Sequence, residues 1–356
     1  MFKRKSNLIF NFNKNKDNIF ICNTPYHLII SLGYIINFHL ETKSIIIVIN
    51  DGKFIENLNL KKMRNLFNII ILRGNNKILN KNRFKKVKIY KNINKYNYEL
   101  IKQFKNKSFN IVYFLDLPKH NQFILRFFKR KTYSKFFLLE EGVGIYSSTL
   151  NQNKKKLIDL FLDIIFKMKK LKYIGELKLN QSLYVSEVSL INKKGIDHIY
   201  NENSFYFVEK NKDKIKSLFK KSLFNFDISK KGVVFFSQPY DELRGVSKST
   251  FLNLLETLEK YCKNYSYHLY IKPHPRENRM IFKNINCTLL SNIPAELITF
   301  DKKSLGVTIS SSSLLNVKIN KKIYLFPLFD EIKIDKVTKK FLKKKNVIFL
   351  SSLISL

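Results

Sequence analysis

Apolar residues along the chain occur in short continuous runs, and these runs predict strands. In the first half the runs lie at 19–22, 44–50, 67–74, 109–118 and 135–147. Continuous rather than alternating apolar strands are typical of a parallel sheet that helices cover on both faces. Thr24 and Pro25 follow the first run and predict the start of a helix, since threonine caps helices and proline favours their first turn.

A second series of apolar runs begins near residue 232. It predicts strands at 232–239, 266–275, 287–292, 305–313 and 321–327, with helices near 248–262, 294–300 and 314–318. We interpret 176–230 as a linker followed by a helix. The alternation of strands and helices predicts an α/β protein with two Rossmann-like domains facing a central cleft.

The domain boundaries follow from these runs. We place an N-terminal, acceptor-side domain at 1–150, a linking helical segment at 151–230, and a C-terminal, donor-side domain at 231–330. The remaining tail, 331–356, is expected to pack back on the first domain.

The segment 153–175 is predicted to be an amphipathic helix with basic ends. Asp159 and Asp163 interrupt its basic face, which favours an interface helix that could join two copies of the chain. A membrane-surface helix is the alternative. No apolar run is long enough for a transmembrane helix or a signal peptide, so we expect a cytoplasmic protein whose membrane contact is at most peripheral.

The amino-acid composition indicates which classes of binding partner the chain is expected to have. The formal charge is +39, from 66 basic and 27 acidic residues, and the lysines are spread along the chain. Biased codon usage combined with a preference for an anionic partner explains this distribution. No zinc-finger or RNP-type motif supports a nucleic-acid module. The three cysteines form no CxxC pair, so we expect no disulfide framework.

Polar clusters occur where predicted strands end. They lie at 23–27, 140–142, 238–242, 272–276 and 310–313. In doubly wound sheets, ligands bind beyond the carboxyl ends of the strands. We therefore expect these clusters to line one crevice.

Two of the clusters suit a phosphate group. His274 stands between Pro273 and Pro275, with Lys272 and Arg276 adding positive charge. The serine run 310–313 offers hydroxyls and backbone N–H groups at an expected helix start. No Walker loop, GxGxxG or DxD motif is present, so we expect no metal, and a cationic histidine would stabilise a leaving phosphate.

The acidic residues leave alternatives open. Asp241 is either a general base near the phosphate site or a cap for the following helix. Glu140 and Glu141, before Gly142, either present carboxylates to the crevice or form a solvated turn. His27, in the first strand–helix turn, is expected to be structural or acceptor-binding rather than catalytic.

Taken in order, these motifs resemble bacterial sialyltransferases, most closely the lipooligosaccharide sialyltransferase family (glycosyltransferase family 52). The resemblance covers roughly 19–330 and rests on "LEEGVGIY", "SQPYDE", "KPHPRE" and "TISSSS". It implies a glycosyltransferase B architecture and an inverting, metal-independent transfer from CMP-sialic acid, which is a substrate, so no cofactor is expected.

The resemblance also implies residue roles. Asp241 matches the base and His274 the group that stabilises the donor phosphate or acts as acid. Related families use an acid of the acid-acid-Gly motif, so Glu141, beside Glu140, is a rival base. The remaining donor-binding candidates are Lys272, Pro275, Glu296, Ser310, Ser311, Ser312 and Gly142.

The expected reaction is therefore transfer of sialic acid to a terminal galactoside of a bacterial surface glycan. That acceptor is expected to be lipid-linked, at the inner face of the membrane. The alternatives are a glycosyltransferase of the same fold that uses another nucleotide sugar, and a non-enzymatic basic protein that binds nucleic acid.

Overall fold

A computed structural model provides the coordinates. The residues it describes are 17–50, 53–74, 83–142, 145–146, 171, 174–177, 179, 181–191, 196, 198–224, 228, 230–243, 245–291, 293–332 and 334–351. The chain divides into two compact units. The first ends at Asn211 and the second begins at Lys212, and two short earlier stretches, Glu56–Asn59 and Gly142–Ser147, belong to the second unit.

The first unit contains a seven-stranded sheet in which all strand pairs are parallel, in the order β3-β2-β1-β4-β5-β6-β7. The strands are β1 (Asp17–Cys22), β2 (Ser44–Asn50), β3 (Asn68–Arg73), β4 (Phe109–Tyr113), β5 (Lys135–Leu139), β6 (Gln181–Val185) and β7 (His198–Asn201). The helices are α1 (Pro25–Asn37), α2 (Leu60–Leu66), α3 (Arg83–Ile101), α4 (Lys119–Lys131) and α5 (Phe205–Lys210). Each continuous apolar run of the first half proves to hold a strand.

Helix α1 begins where the sequence predicts. Thr24 is its N-cap, and the Thr24 Oγ1 accepts a hydrogen bond from the His27 N–H at 3.2 Å. Gly33 lies on the same helix, and a Cβ there would come within 3.0 Å of the Val208 backbone nitrogen in α5. A glycine is therefore needed for α1 and α5 to pack this closely.

The interpretation of 176–230 as a linker followed by a helix is wrong for its first part. Strands β6 and β7 extend the first sheet well past residue 150. Their sequences, QSLYV and HIYN, are short, begin or end with polar residues and lack the long apolar runs of the other strands. Most of the predicted amphipathic helix at 153–175 lies outside the described residues.

The second unit contains a six-stranded sheet, again with every pair parallel, in the order β10-β9-β8-β11-β12-β13. Its strands are β8 (Gly232–Phe236), β9 (His268–Lys272), β10 (Thr288–Leu289), β11 (Leu305–Thr308), β12 (Lys321–Tyr324) and β13 (Val347–Phe349). The helices are α6 (Lys212–Lys216), α7 (Lys248–Asn264) and α8 (Lys336–Lys344). Two parallel-sheet α/β units confirm the predicted fold class.

The C-terminal stretch differs from the prediction that it packs back on the first domain. Helix α8 buries Phe341 and Leu342, and strand β13 pairs with β12 at the edge of the second sheet. These apolar residues are thus buried within the second unit. Among the described residues, no helix combines the length and the apolar character needed to span a membrane.

Two predicted helices are only short 3₁₀ turns. They are Ala295–Leu297 in place of 294–300 and Ser312–Asn316 in place of 314–318. Both turns end at a β-branched residue in extended conformation, Ile298 and Val317. Such residues have limited side-chain freedom in helices and favour extended backbone.

Candidate functional site

The carboxyl edge of the second sheet brings three predicted clusters together. The Ser237 N–H donates to the Lys272 carbonyl at 3.0 Å, and the Thr308 hydroxyl donates to the Phe236 carbonyl at 2.8 Å. These bonds hold the ends of β9, β8 and β11 side by side. Beyond them, the Ser310 hydroxyl donates to the Gln238 Oε1 at 2.7 Å. Within this unit the strand ends converge, as the sequence predicts.

Glu277 was not among the residues that the sequence singled out. It holds in place the segment 272–276 around His274, which we call the histidine corner. Its Oε2 accepts the His274 N–H at 3.1 Å, and its Oε1 accepts the Ser237 hydroxyl at 2.7 Å. Burial is the main cause that raises the pKa of Glu277. An acid three residues after the histidine, in the same KPHPRE motif, was the available signal.

His274 has one fixed tautomer in its neutral state. The Arg276 N–H donates to the ring Nδ1 at 3.3 Å, so the proton of the neutral ring resides on Nε2. Burial, then Arg276 and Lys272, lower the pKa of His274 to about 4. Without a bound anion, desolvation and two nearby cations thus disfavour a positive charge on His274, and the predicted cationic histidine stays a prediction for the donor-bound protein.

Lys272 and Glu296 are buried behind this corner. Lys272 is 8% exposed and Glu296 is 5% exposed. Burial lowers the pKa of Lys272 to about 8, partly opposed by Glu296, and burial raises the pKa of Glu296 to about 7, partly opposed by Lys272.

The three serines have different surroundings. Ser311 is buried: its N–H donates to the Thr308 Oγ1 at 2.9 Å, and its carbonyl accepts the Tyr324 hydroxyl at 2.6 Å. Ser310 is bonded to Gln238, whereas Ser312 is exposed. Ser311 therefore shapes the turn, and Ser312 is the serine of the three that is exposed.

Gly142 and Pro275 both shape turns. Gly142 has a φ of +120°, which favours glycine, and the Ser312 Oγ lies 4.0 Å from where a Cβ would stand. The space around residue 142 would accept a Cβ, so the positive φ is what favours glycine there. Pro275 is exposed in the turn that follows His274.

Asp241 lies on the turn that follows β8. It is exposed on the 3₁₀ turn Tyr240–Glu242 and lines a cleft of about 280 Å³ together with Lys248, Arg276 and Glu277. No hydrogen bond joins Asp241 to His274 within the described parts of the chain. Arg276, which also lines the cleft, forms a salt bridge with Glu242 at 2.8 Å.

The two adjacent acids of the first unit have different partners. Both Glu140 oxygens are engaged by Ser186, whose N–H donates at 2.6 Å and whose hydroxyl donates at 3.2 Å. The Glu141 Oε1 instead lies 3.5 Å from the His27 Nε2, and its side chain is 26% exposed. Glu140 therefore holds the loop after β6, and Glu141 is the partly exposed acid of the pair.

The described residues contain no group of three or more histidine, cysteine, aspartate or glutamate side chains that could hold a metal ion. The cysteines are inert in this respect: burial raises the pKa of Cys22 and of Cys262 to about 12.

Comparison with protein-family models identifies the family to which the chain belongs. A protein-family model described as Alpha-2,8-polysialyltransferase (POLYST) matches residues 18–325. The chain belongs to this family. The match spans every polar cluster described above, and it confirms the resemblance to sialyltransferases, although the matching model is described by polysialic acid and not by lipooligosaccharide. No curated protein matches the chain.

Solved structures share the fold of this polysialyltransferase-family chain. A sialyltransferase from Photobacterium damsela aligns over 94% of this chain and 81% of its own, with 14% identity and a TM-score of 0.51. A UDP-GlcNAc 2-epimerase from Methanocaldococcus jannaschii, solved with UDP-GlcNAc and UDP, aligns over 94% and 88%, with 14% identity and a TM-score of 0.52. At this identity the likeness concerns the fold alone.

Proposed function

We propose that this polysialyltransferase-family protein transfers sialic acid from CMP-sialic acid to a glycan that ends in sialic acid, with inversion and without a metal. The observation that carries the proposal is the convergence of the histidine corner, Gln238 and the serine turn at one sheet edge. The family description supports the acidic acceptor. A net charge of +39 favours an anionic acceptor, which we expect to be lipid-linked at a membrane surface.

The second unit would bind the donor phosphate. The neutral His274 has an Nε2–H available to donate to a phosphate oxygen, and Ser312 has an exposed hydroxyl. As the bond between the anomeric carbon and the phosphate oxygen breaks, negative charge grows on the departing CMP. A nearby anion raises the pKa of a histidine, so His274 would become a stronger donor as the phosphate gains charge.

The first unit would supply the base. The acceptor hydroxyl attacks the anomeric carbon on the face opposite to the phosphate, and its proton passes to a carboxylate. We assign this role to Glu141, because it is partly buried and one of its oxygens faces a histidine. Asp241, which the resemblance favours, is exposed in its cleft and stays the rival base.

A substrate screen tests the proposal. The purified protein is incubated with CMP-sialic acid or UDP-sugars, and with acceptors that end in sialic acid or galactose, and the product linkage is determined. We expect turnover with CMP-sialic acid and the sialylated acceptor. Turnover with a galactoside alone would correct the acceptor, and turnover only with a UDP-sugar would reject the donor. Salt-sensitive nucleic-acid binding without any turnover would favour the non-enzymatic alternative.

A pair of isosteric variants identifies the base. Glu141→Gln should lower kcat by about 10²–10⁴-fold, the usual contribution of a general base, whereas Asp241→Asn should retain most activity. Both are measured at saturating donor, with thermal unfolding as a check on the fold. The opposite ranking would transfer the role of base to Asp241.

A further inference from the structure

His27 is rigidly held at the start of α1. The side chain is completely buried, and its own N–H donates to the Thr24 Oγ1 at 3.2 Å. The ring stacks on Phe114 with 4.4 Å between centroids and only 2° between planes. The imidazole can therefore neither swing into solvent nor flip without disturbing the packing around it.

The backbone also determines which ring nitrogen carries the proton. The Asn23 N–H donates to the His27 Nδ1 at 3.1 Å, so the neutral ring has its proton on Nε2. Asn23 is itself fixed, since its side chain exchanges two hydrogen bonds of 2.8 Å with Asn121. The tautomer is thus determined by the hydrogen bond to Nδ1, on the side of the ring that is opposite to Glu141.

The His27 Nε2 is buried and has no hydrogen-bond partner among the described residues. The Glu141 Oε1, 3.5 Å away, is the carboxylate oxygen that faces it. Leaving a buried N–H unpaired is unfavourable, so this group is aimed at an acceptor that a small side-chain rotation of Glu141 would bring within bonding distance.

We propose that His27 is a positioning residue for Glu141. The inference rests on the proposed function, in which Glu141 is the base. The His27 Nε2–H binds Oε1 and thereby leaves Oε2 free to take the proton of the acceptor hydroxyl. The new glycosidic C–O bond forms as the C–O bond to phosphate breaks, and CMP departs with the bonding electrons. His27 neither gains nor loses a proton and does not touch the reacting atoms.

Two amide variants separate this role from simple packing. In His27→Gln the amide nitrogen can occupy the place of Nε2 and still donate to Glu141. In His27→Asn the amide reaches only the place of Nδ1, so the donor to Glu141 is lost. We expect His27→Asn to lower kcat by about 10–100-fold, as loss of a supporting hydrogen bond typically does. His27→Gln should restore most of that loss, and KM for CMP-sialic acid should not change in either variant.

A double variant provides a second test of the role of His27. In the Glu141→Gln background, His27→Asn should cause little further loss, because residues that act as a unit are not additive. Equal loss in His27→Gln and His27→Asn, full activity in His27→Asn, or independent losses in the double variant would each overturn the proposal.

A readout that needs no turnover keeps this test separate from the proposed function. Nitrogen NMR of labelled histidine should show His27 as the Nε2-protonated tautomer, with an Nε2 resonance that moves in Glu141→Gln. An unmoved resonance rejects the contact, even in an active enzyme. A moved resonance in a protein that does not use CMP-sialic acid supports the contact and counts against the proposed function alone.

Discussion

The two sheets each present a histidine at the carboxyl edge, and the two histidines differ in nearly every respect except one. His27 is buried against Phe114 and faces a carboxylate, whereas His274 is half-buried and stands among cations. The shared feature is a backbone N–H that donates to Nδ1, from Asn23 in one case and from Arg276 in the other.

This shared feature explains how one residue type can serve two tasks. With Nδ1 occupied as an acceptor, each neutral ring offers an Nε2–H, and the surroundings decide what that donor meets. For His27, the group that faces this donor is a carboxylate of the protein itself, that of Glu141. Next to His274 the cations Lys272 and Arg276 favour an anion from outside, such as a phosphate. In the proposed function, local charge, more than residue type, would distinguish an orienting histidine from a ligand-binding one.

The largest effect that would sharpen this comparison is expected at His274. His274→Ala should lower kcat by about 10²–10³-fold, because it removes a preorganised donor to the leaving phosphate. His268 is a matched control: it begins the same strand, β9, and bonds to the Thr288 Oγ1 at 2.7 Å. His268→Ala should leave kcat unchanged, and equal losses in both variants would mean that only the strand was damaged.

A smaller effect concerns pH. The pKa of His274 is lowered to about 4, and a bound phosphodiester should raise it. Binding of a non-transferable CMP-sialic acid analogue should therefore take up a proton, and affinity should rise as pH falls below the bound-state pKa toward about 4. Below that value both states are protonated and the gain stops.

Calorimetry in buffers of different ionisation enthalpy measures this proton uptake directly. In His274→Gln the part of the proton uptake that is due to the imidazole should disappear, while contributions from Glu277 and other carboxylates persist. A pH dependence identical in both proteins would mean that the imidazole does not meet the phosphate.

The smallest expected effect concerns the N-cap residues of two helices. Thr24→Ala and Ser247→Ala each remove a side-chain oxygen that accepts a backbone N–H at a helix start, in α1 and α7. Each should lower the free energy of unfolding by about 1 kcal/mol, measured with denaturant. Only Thr24→Ala should also reduce kcat, because Thr24 holds the backbone of His27. Equal kcat values in the two variants would show that α1 tolerates a shift of His27.

The sequence allowed most of the fold to be predicted. Strands such as β2 and β11 are continuous apolar runs buried on both faces, so local pattern suffices to find them. Strands β6 and β7 were missed because they are short and contain polar residues in place of a long apolar run, and pairing with their neighbours in the sheet identifies them as strands. The His274 corner was found because two prolines and two cations mark it within a few residues.

Other parts of the site could not be found this way. Glu140 and Glu141 are adjacent and alike in sequence, yet one is bound to Ser186 and the other faces His27. Their partners lie far along the chain, and no local pattern records them. The same holds for the charge state of His274, since burial and two neighbouring cations determine it together.

By itself, the sequence determined the two parallel α/β sheets and the order of the motifs, because strand periodicity and short motifs are local properties. The tertiary structure decided which acid is free, which nitrogen of each histidine carries a proton, and which serine is exposed. These depend on burial and on hydrogen bonds between residues distant in the chain, and such contacts exist only once the strands are brought side by side.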